Sequence, residues 1–71
     1  MRHRGVIFKI FFAKGFAFAR SDVDSLSYFV HINNMRNRQE FDTLREGKVI
    51  EFTPEKTNKG NGLVATEIQC I

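Results

Sequence analysis

Residues 14–19 read KGFAFA: a lysine and a glycine precede two phenylalanines that alternate with alanines. Successive side chains of an extended strand point to opposite faces, so Phe16 and Phe18 share one face while Ala17 and Ala19 share the other. This alternation predicts a strand over residues 15–20, with Lys14 and the following glycine forming the bend before it. Periodicity alone leaves open which of the two faces is buried.

Length and composition predict one domain covering residues 1–71. Hydrophobic residues make up 42% of the chain and charged residues 27%, which is the balance of a folded domain. No stretch approaches the roughly 20 consecutive apolar residues of a spanning helix. The opening MRHRGVIFKIFF also lacks the apolar region and cleavage site of a secretory signal. We therefore expect a cytoplasmic protein without a membrane partner, whose first four residues are a frayed basic end.

Metal-binding and catalytic patterns are missing from the sequence. Cys70 is the single cysteine, and neither His3 nor His31 has the paired spacing of a zinc site. There is also no nucleophile with a base, no phosphate loop and no supported carboxylate pair. We expect no disulfide, metal, cofactor, small-molecule substrate or enzymatic activity, and we expect Asp22 and Asp24 to cap backbone amides in a polar turn.

Basic and aromatic residues coincide in the first half of the chain. Residues 1–40 carry seven Lys or Arg against three acids, whereas residues 41–71 carry four against five. The same first half holds six of the eight phenylalanines. Cations among exposed rings favour binding of a polyanion whose bases can stack, although charge of this size also serves solubility alone.

Short apolar runs separated by Gly, Pro and polar clusters predict five strands, over residues 5–12, 15–20, 27–33, 48–53 and 63–71. The third strand places Phe29 and His31 on one face and Tyr28 and Val30 on the other. The fourth strand should stop at Pro54, because proline cannot donate a ladder hydrogen bond.

Five short strands without a covering helix favour closure. The predicted fold is all-β, a small five-stranded antiparallel barrel of the oligonucleotide-binding type, with a long connection after the third strand and one helical turn within residues 40–46. The predicted core consists of Ile7, Val30, Leu44, Ile50, Phe52 and Ile68.

Four motifs of the sequence resemble the cold-shock domain family. KGFAF at 14–18 and FVHI at 29–32 are similar to its two nucleic-acid motifs, which usually read K-G-F-G-F-I and V-F-V-H-F. FDTLREGKVIEF at 41–52 and NKGNGLVATEI at 58–68 are similar to its later segments. The resemblance implies a domain that binds single-stranded RNA or DNA with low sequence specificity, as an RNA chaperone or a regulator of gene expression.

The same resemblance implies a set of site residues. It places a backbone contact at Lys14 and exposes the outer face of the second strand. The implied stacking residues are Phe16, Phe18, Phe29, His31 and Phe41.

Five positions depart from the family pattern, of which the inward Ala17 and Ala19 suit close packing of the barrel interior. Lys9 stands where the family usually has tryptophan, Phe11 where asparagine is common, and Ile32 where phenylalanine ends the second motif. Lys9 can add a phosphate contact but cannot stack as an indole does. Phe11 compensates for the lost ring if it points outward, and Lys59, in the polar loop, is a further candidate for phosphate contact.

The departures leave a second function open. A surface with Lys9, Phe11 and Ile32 in place of the usual residues would also suit a protein partner or a homodimer. The alternative to nucleic-acid binding is therefore a protein-interaction module built on the same barrel.

Overall fold

Five strands close into a barrel in the computed structural model, which describes residues 2–56 and 62–71. The strands are β1 (His3–Phe11), β2 (Phe16–Ser21), β3 (Ser27–His31), β4 (Val49–Lys56) and β5 (Leu63–Cys70). Around the barrel their order is β1-β2-β3-β5-β4, and β4 returns to β1. The predicted all-β, five-stranded barrel of the oligonucleotide-binding type is confirmed.

One of the five strand pairs is parallel. The pairs β1–β2, β1–β4, β2–β3 and β4–β5 are antiparallel, whereas β3 and β5 run in the same direction. The expectation of a purely antiparallel barrel is therefore wrong for the pair β3–β5. Parallel neighbours need a long crossover, and the connection after β3 together with β4 supplies it.

The bend before β2 depends on Gly15. Its φ of 76° lies in the left-handed region that glycine adopts without steric cost. Its N–H donates to the carbonyls of Phe11 at 3.0 Å and Phe12 at 3.2 Å, and the second bond closes a short 3-10 helix over Phe12–Lys14. β2 therefore begins at Phe16, one residue later than predicted.

The alanine face of β2 is the buried one. Ala17 and Ala19 are completely buried, and Tyr28, opposite Ala19 on β3, fills the space beside them with 4% of its surface exposed. All six residues predicted for the core are buried. The phenylalanine face of β2, which periodicity alone could not assign, therefore points out of the barrel.

The long connection between β3 and β4 closes one end of the barrel. It contains two 3-10 helices, Ile32–Asn34 and Arg38–Thr43, so the helical turn predicted within residues 40–46 lies slightly earlier and is of the 3-10 type. Met35 of this connection is buried and bridges to Ile68 of β5. Neither of the stretches 2–56 and 62–71 contains a helix with the length and apolarity to cross a membrane.

His3 and Arg4 belong to β1 and Arg2 bonds to Glu51 of β4, so the prediction of a frayed end is wrong for these three residues. His3 is 9% exposed, with Nδ1 3.2 Å from Ser21 Oγ and its ring centroid 5.9 Å from that of Phe52. Arg2 donates to the side chain and the carbonyl of Glu51, both at 3.1 Å. These contacts start β1 two residues earlier than the sequence indicated.

Pro54 does not end β4, contrary to prediction. It lies opposite Ala65 of β5, and the strand continues to Lys56. In the described part of the chain, the last β1 partner of β4 is His3, opposite Phe52. Beyond that pair β4 is a local edge, so the N–H that proline lacks has no β1 partner there.

The turn between β2 and β3 depends on Asp24. One carboxylate oxygen accepts from the Leu26 N–H at 3.0 Å, which confirms its predicted capping role, and the other accepts from the Tyr28 hydroxyl at 2.8 Å. The Leu26 bond, followed by the Tyr28 bond, lowers the pKa of Asp24. Burial, followed by the bond to Asp24, raises the pKa of Tyr28 to about 12.

We expect Gly5→Ala to destabilise the barrel. A Cβ at this position would lie 2.8 Å from the Arg20 carbonyl oxygen and 3.1 Å from Phe52 Cε1, and the first of these is backbone that cannot move aside alone. Overpacking of this kind costs about 1–3 kcal/mol. Denaturant unfolding followed by circular dichroism measures the change, and an unchanged free energy of unfolding would refute the close approach.

We expect stability to fall as the pH rises from 10 towards 12. Tyr28 has a folded pKa of about 12 against an ordinary value of 10.0, so the unfolded chain loses the phenolic proton first. The stabilising contribution is complete below pH 10 and is lost as the pH passes through the folded pKa. Unfolding midpoints are measured for the wild type and for Tyr28→Phe between pH 10 and 12. The difference between the two curves gives the contribution of Tyr28 ionisation, because the lysines titrate in both proteins. Parallel curves for the two proteins would contradict the assignment.

Candidate nucleic-acid interface

A β-bulge in β1 determines where its side chains point. Ile7 pairs with Ala19 of β2 and Lys9 pairs with Phe18, so Phe8 is the extra residue between the two pairs. Both Phe8 and Lys9 are exposed as a result. A bulge changes the alternation of its strand, and such irregularities often re-aim side chains next to functional sites.

The bulge also turns Phe11 outward. Counting inward and outward positions from the buried Ile7 along a regular strand would place Phe11 inside the barrel. After the bulge, Ile10 instead packs against the core, and Phe11 lies opposite Phe16 with ring centroids 5.0 Å apart. Phe11 therefore points outward, as it must if it is to compensate for the ring that Lys9 lacks.

Six rings form one continuous surface on the outer side of β1, β2 and β3. Neighbouring centroids lie 5.0–6.4 Å apart. We call this the aromatic surface, and its members are Phe8, Phe11, Phe16, Phe18, Phe29 and His31.

The rings of the aromatic surface hold one another by edge contacts. Phe16 and Phe18 meet at 81° and Phe18 and Phe29 at 65°, while Phe16 and Phe29 are tilted by 38°. Tilted and edge-to-face pairs are the favoured arrangements of aromatic side chains. The three central rings are half-buried by their neighbours, and the rest of each ring faces outward.

His31 is fixed at one edge of the aromatic surface. Its Nδ1 accepts a hydrogen bond from the Asn33 N–H at 3.1 Å, and its ring centroid lies 5.9 Å from that of Phe29. Since Nδ1 accepts, the neutral ring carries its proton on Nε2. The ring therefore offers a π-face and a donor from a set orientation.

Two cations lie over rings of the aromatic surface. Lys9 Nζ is 5.4 Å from the centroid of Phe11, and Arg20 Cζ is 5.5 Å from that of Phe8. Both distances are within the range of a cation–π contact. Positive charge is thus held directly against the rings.

Lys14 adds a third cation, at the end of the 3-10 helix that precedes β2. Its side chain is exposed. Residues 2–21 and 27–39, which include all of β1, β2 and β3, contain no Asp or Glu. The three strands of the aromatic surface therefore carry positive charge and no carboxylate of their own.

Phe41 does not belong to the aromatic surface, which corrects its predicted role as a stacking ring. It is 2% exposed, because it is the residue of the second 3-10 helix that packs into the end of the barrel. Phe12, 53% exposed, covers it with a centroid distance of 5.9 Å. Ile32 is half-buried and packs against the core.

Most of the predicted site residues come together. The rings of Phe11, Phe16, Phe18, Phe29 and His31 and the amine of Lys9 share the outer face, Lys14 lies at the turn beside it, and Lys59 lies outside the described residues. The sequence analysis missed Phe8 and Arg20. Arg20 continues the outward series of Phe16 and Phe18 and could have been found from alternation, whereas Phe8 depends on the bulge.

No protein-family profile matches the chain. No curated protein sequence matches it either. Within residues 2–56 and 62–71, no group of three His, Cys, Asp or Glu side chains is placed to hold a metal ion.

We expect the outward rings to matter less for stability than the inward ones. Phe52→Ala should cost about 3–5 kcal/mol, because Phe52 is completely buried. Phe18→Ala should cost less, about 1–2 kcal/mol, because its ring is only half-buried and full burial of such a side chain contributes about 1.5–3 kcal/mol. Denaturant unfolding of the two variants provides the comparison. Equal losses would mean that the outward rings serve the fold as much as the core does.

Proposed function

We propose that this protein is a single-strand nucleic-acid-binding module of the cold-shock type, with low sequence specificity and no catalytic role. The observation that carries the proposal is the aromatic surface: six rings on three adjacent strands that contain no carboxylate, with Lys9 and Arg20 over two of the rings and Lys14 at the turn before β2. The resemblance of KGFAF and FVHI to the two motifs of that family supports it.

Exposed rings explain why the ligand would be unpaired. A base that stacks on an aromatic side chain must present its π-face, which a base within a duplex keeps covered by its neighbours. Each stacked base contributes about 1–3 kcal/mol, and every base can stack. Binding would therefore favour single strands of many sequences and hold bases apart from their pairing partners, which is the action of an RNA chaperone.

Charge supplies the other part of the affinity. Lys9, Lys14 and Arg20 can each neutralise a phosphate and release a counterion. With about 0.7 released per phosphate contact on a single strand, three contacts give a slope near −2 for the logarithm of affinity against that of salt concentration. A nucleic acid would thus bind through rings and cations together.

The test of the proposal is a titration with labelled single strands. Oligouridine and oligothymidine of ~12 nucleotides should bind, and the matching duplex should bind more weakly at the same salt. Phe18→Ala and Phe29→Ala should each weaken binding about 5- to 150-fold through loss of one stacked base. Fluorescence anisotropy measures the affinities, and NMR shifts should cluster on the aromatic surface.

Val23→Ala is the matched control, because Val23 is 64% exposed and lies in the turn after β2, outside the aromatic surface. It should bind as the wild type does. Absence of single-strand binding at low salt would refute the proposal. If light scattering instead found a concentration-dependent dimer that hides the aromatic surface, a protein-interaction module would be the better explanation.

We also expect Lys9→Trp to strengthen binding. Lys9 lies opposite Phe18 and beside Phe11, so an indole there would add a ring to the aromatic surface. Affinity at high salt should rise about 5- to 150-fold, and the salt slope should become shallower by about 0.7. Lys9→Gln, which loses the charge without adding a ring, should show only the shallower slope. Weaker binding by the tryptophan variant at high salt would contradict the outward orientation of residue 9.

A further inference from the structure

We propose that Phe8 and Arg20 form an additional nucleotide subsite at the edge of the aromatic surface. In this subsite a base stacks on Phe8 while the Arg20 guanidinium binds the phosphate of the same nucleotide. The inference rests on the proposed function, which it deepens by extending the site beyond the residues that carry the family resemblance.

Core packing does not account for Phe8. It is the extra residue of the bulge, and 41% of its surface is exposed. The inward positions on either side belong to Ile7, which is completely buried, and Ile10, which packs against the core. A large ring at this point adds to the outer surface, where its centroid lies 6.4 Å from that of Phe18 with a tilt of 34°.

Within the described residues, the ring of Phe8 is the partner of the Arg20 guanidinium. Its guanidinium carbon lies 5.5 Å from the Phe8 centroid, and no carboxylate among residues 2–56 and 62–71 forms an ion pair with it. The side chain is exposed. An exposed arginine whose guanidinium is not engaged by a carboxylate can bind a phosphate through two parallel hydrogen bonds.

The base and the guanidinium would exchange places on the ring. In the free protein Arg20 lies over Phe8, and a base that arrives there competes for the same π-face. An exposed cation–π contact is weaker than the stacking of a base, so the base displaces the guanidinium. The released arginine remains beside the nucleotide, where the phosphate becomes its partner.

The subsite lies at the end of the aromatic surface that is remote from Lys14. Along β2 the outward residues follow in the order Phe16, Phe18 and Arg20, and the Lys14 turn precedes them. A short strand could occupy the central rings without touching Phe8. A longer strand would continue past Phe18 into the new subsite, so the length of the nucleic acid distinguishes the two parts of the surface.

A length series of oligothymidines tests the stacking role of Phe8. Strands from ~4 to ~12 nucleotides cover the site sizes of such barrels. Phe8→Leu, which keeps an apolar side chain without a π-face, should bind the longest strand about 5- to 150-fold more weakly than the wild type does. It should match the wild type on the shortest strand that binds measurably. Phe8→Trp should restore long-strand affinity, and Val23→Ala serves again as the control.

Salt dependence tests the role of Arg20. On the longest strand, Arg20→Gln should make the salt slope shallower by about 0.7, the value for one lost phosphate contact on a single strand. Arg20→Lys keeps the charge and should retain the wild-type slope. On the shortest strand all three proteins should have the same slope.

The outcomes separate the two proposals. If the wild type binds long strands and Phe8→Leu binds them equally well, the subsite is refuted while the proposed function stands. Equal weakening at every length would also refute it, because Phe8 would then only support the neighbouring rings. If the wild type binds no single strand, the proposed function itself fails. Circular dichroism of each variant confirms that it is folded.

Discussion

The narrow interior of the barrel is the constraint on which the rest of the structure depends. The molecule measures only 26 × 23 × 19 Å, and Gly5 lies so close to Phe52 and the Arg20 backbone that a methyl group would collide. Large inward rings on every strand cannot fit, so β2 presents Ala17 and Ala19 to the interior. The bulky residues of β2 must then lie outside. The aromatic surface is thus a product of the same packing that closes the barrel.

Where the strands are regular, alternation predicted which rings share a face, and the family resemblance predicted that this face is exposed. β2 and β3 follow a period of two without interruption, so Phe16, Phe18 and Phe29 lie where the pattern placed them. The bulge after Ile7 has no equivalent signal, because an extra residue leaves composition and apolar character unchanged. Phe41 was misplaced for a related reason: a ring in an irregular connection has no period from which its burial can be inferred.

Long-range contacts account for the remaining differences in the fold. Arg2 and His3 join the barrel through Glu51 and Ser21, which are distant in sequence and give no local indication of their partners. Pro54 fits within β4 because β1, whose first residue His3 pairs with Phe52, does not extend beside it. The local rules for charged ends and for proline were sound in themselves. The neighbouring strand decided both outcomes: its presence holds Arg2 and His3 in the barrel, and its absence beside Pro54 lets β4 continue.

The parallel pair of β3 and β5 links the order of folding to the aromatic surface. Phe29 of β3 lies opposite Val64 of β5, the last of the five strands along the chain. Before β5 docks, β3 is an unpaired edge, and the strand that supplies Phe29 and His31 has a partner on one side only. Contacts between segments so far apart in sequence form late and slowly. The β3 edge of the aromatic surface would therefore gain its second neighbouring strand only when β5 docks, and a chain still emerging during synthesis would lack that support.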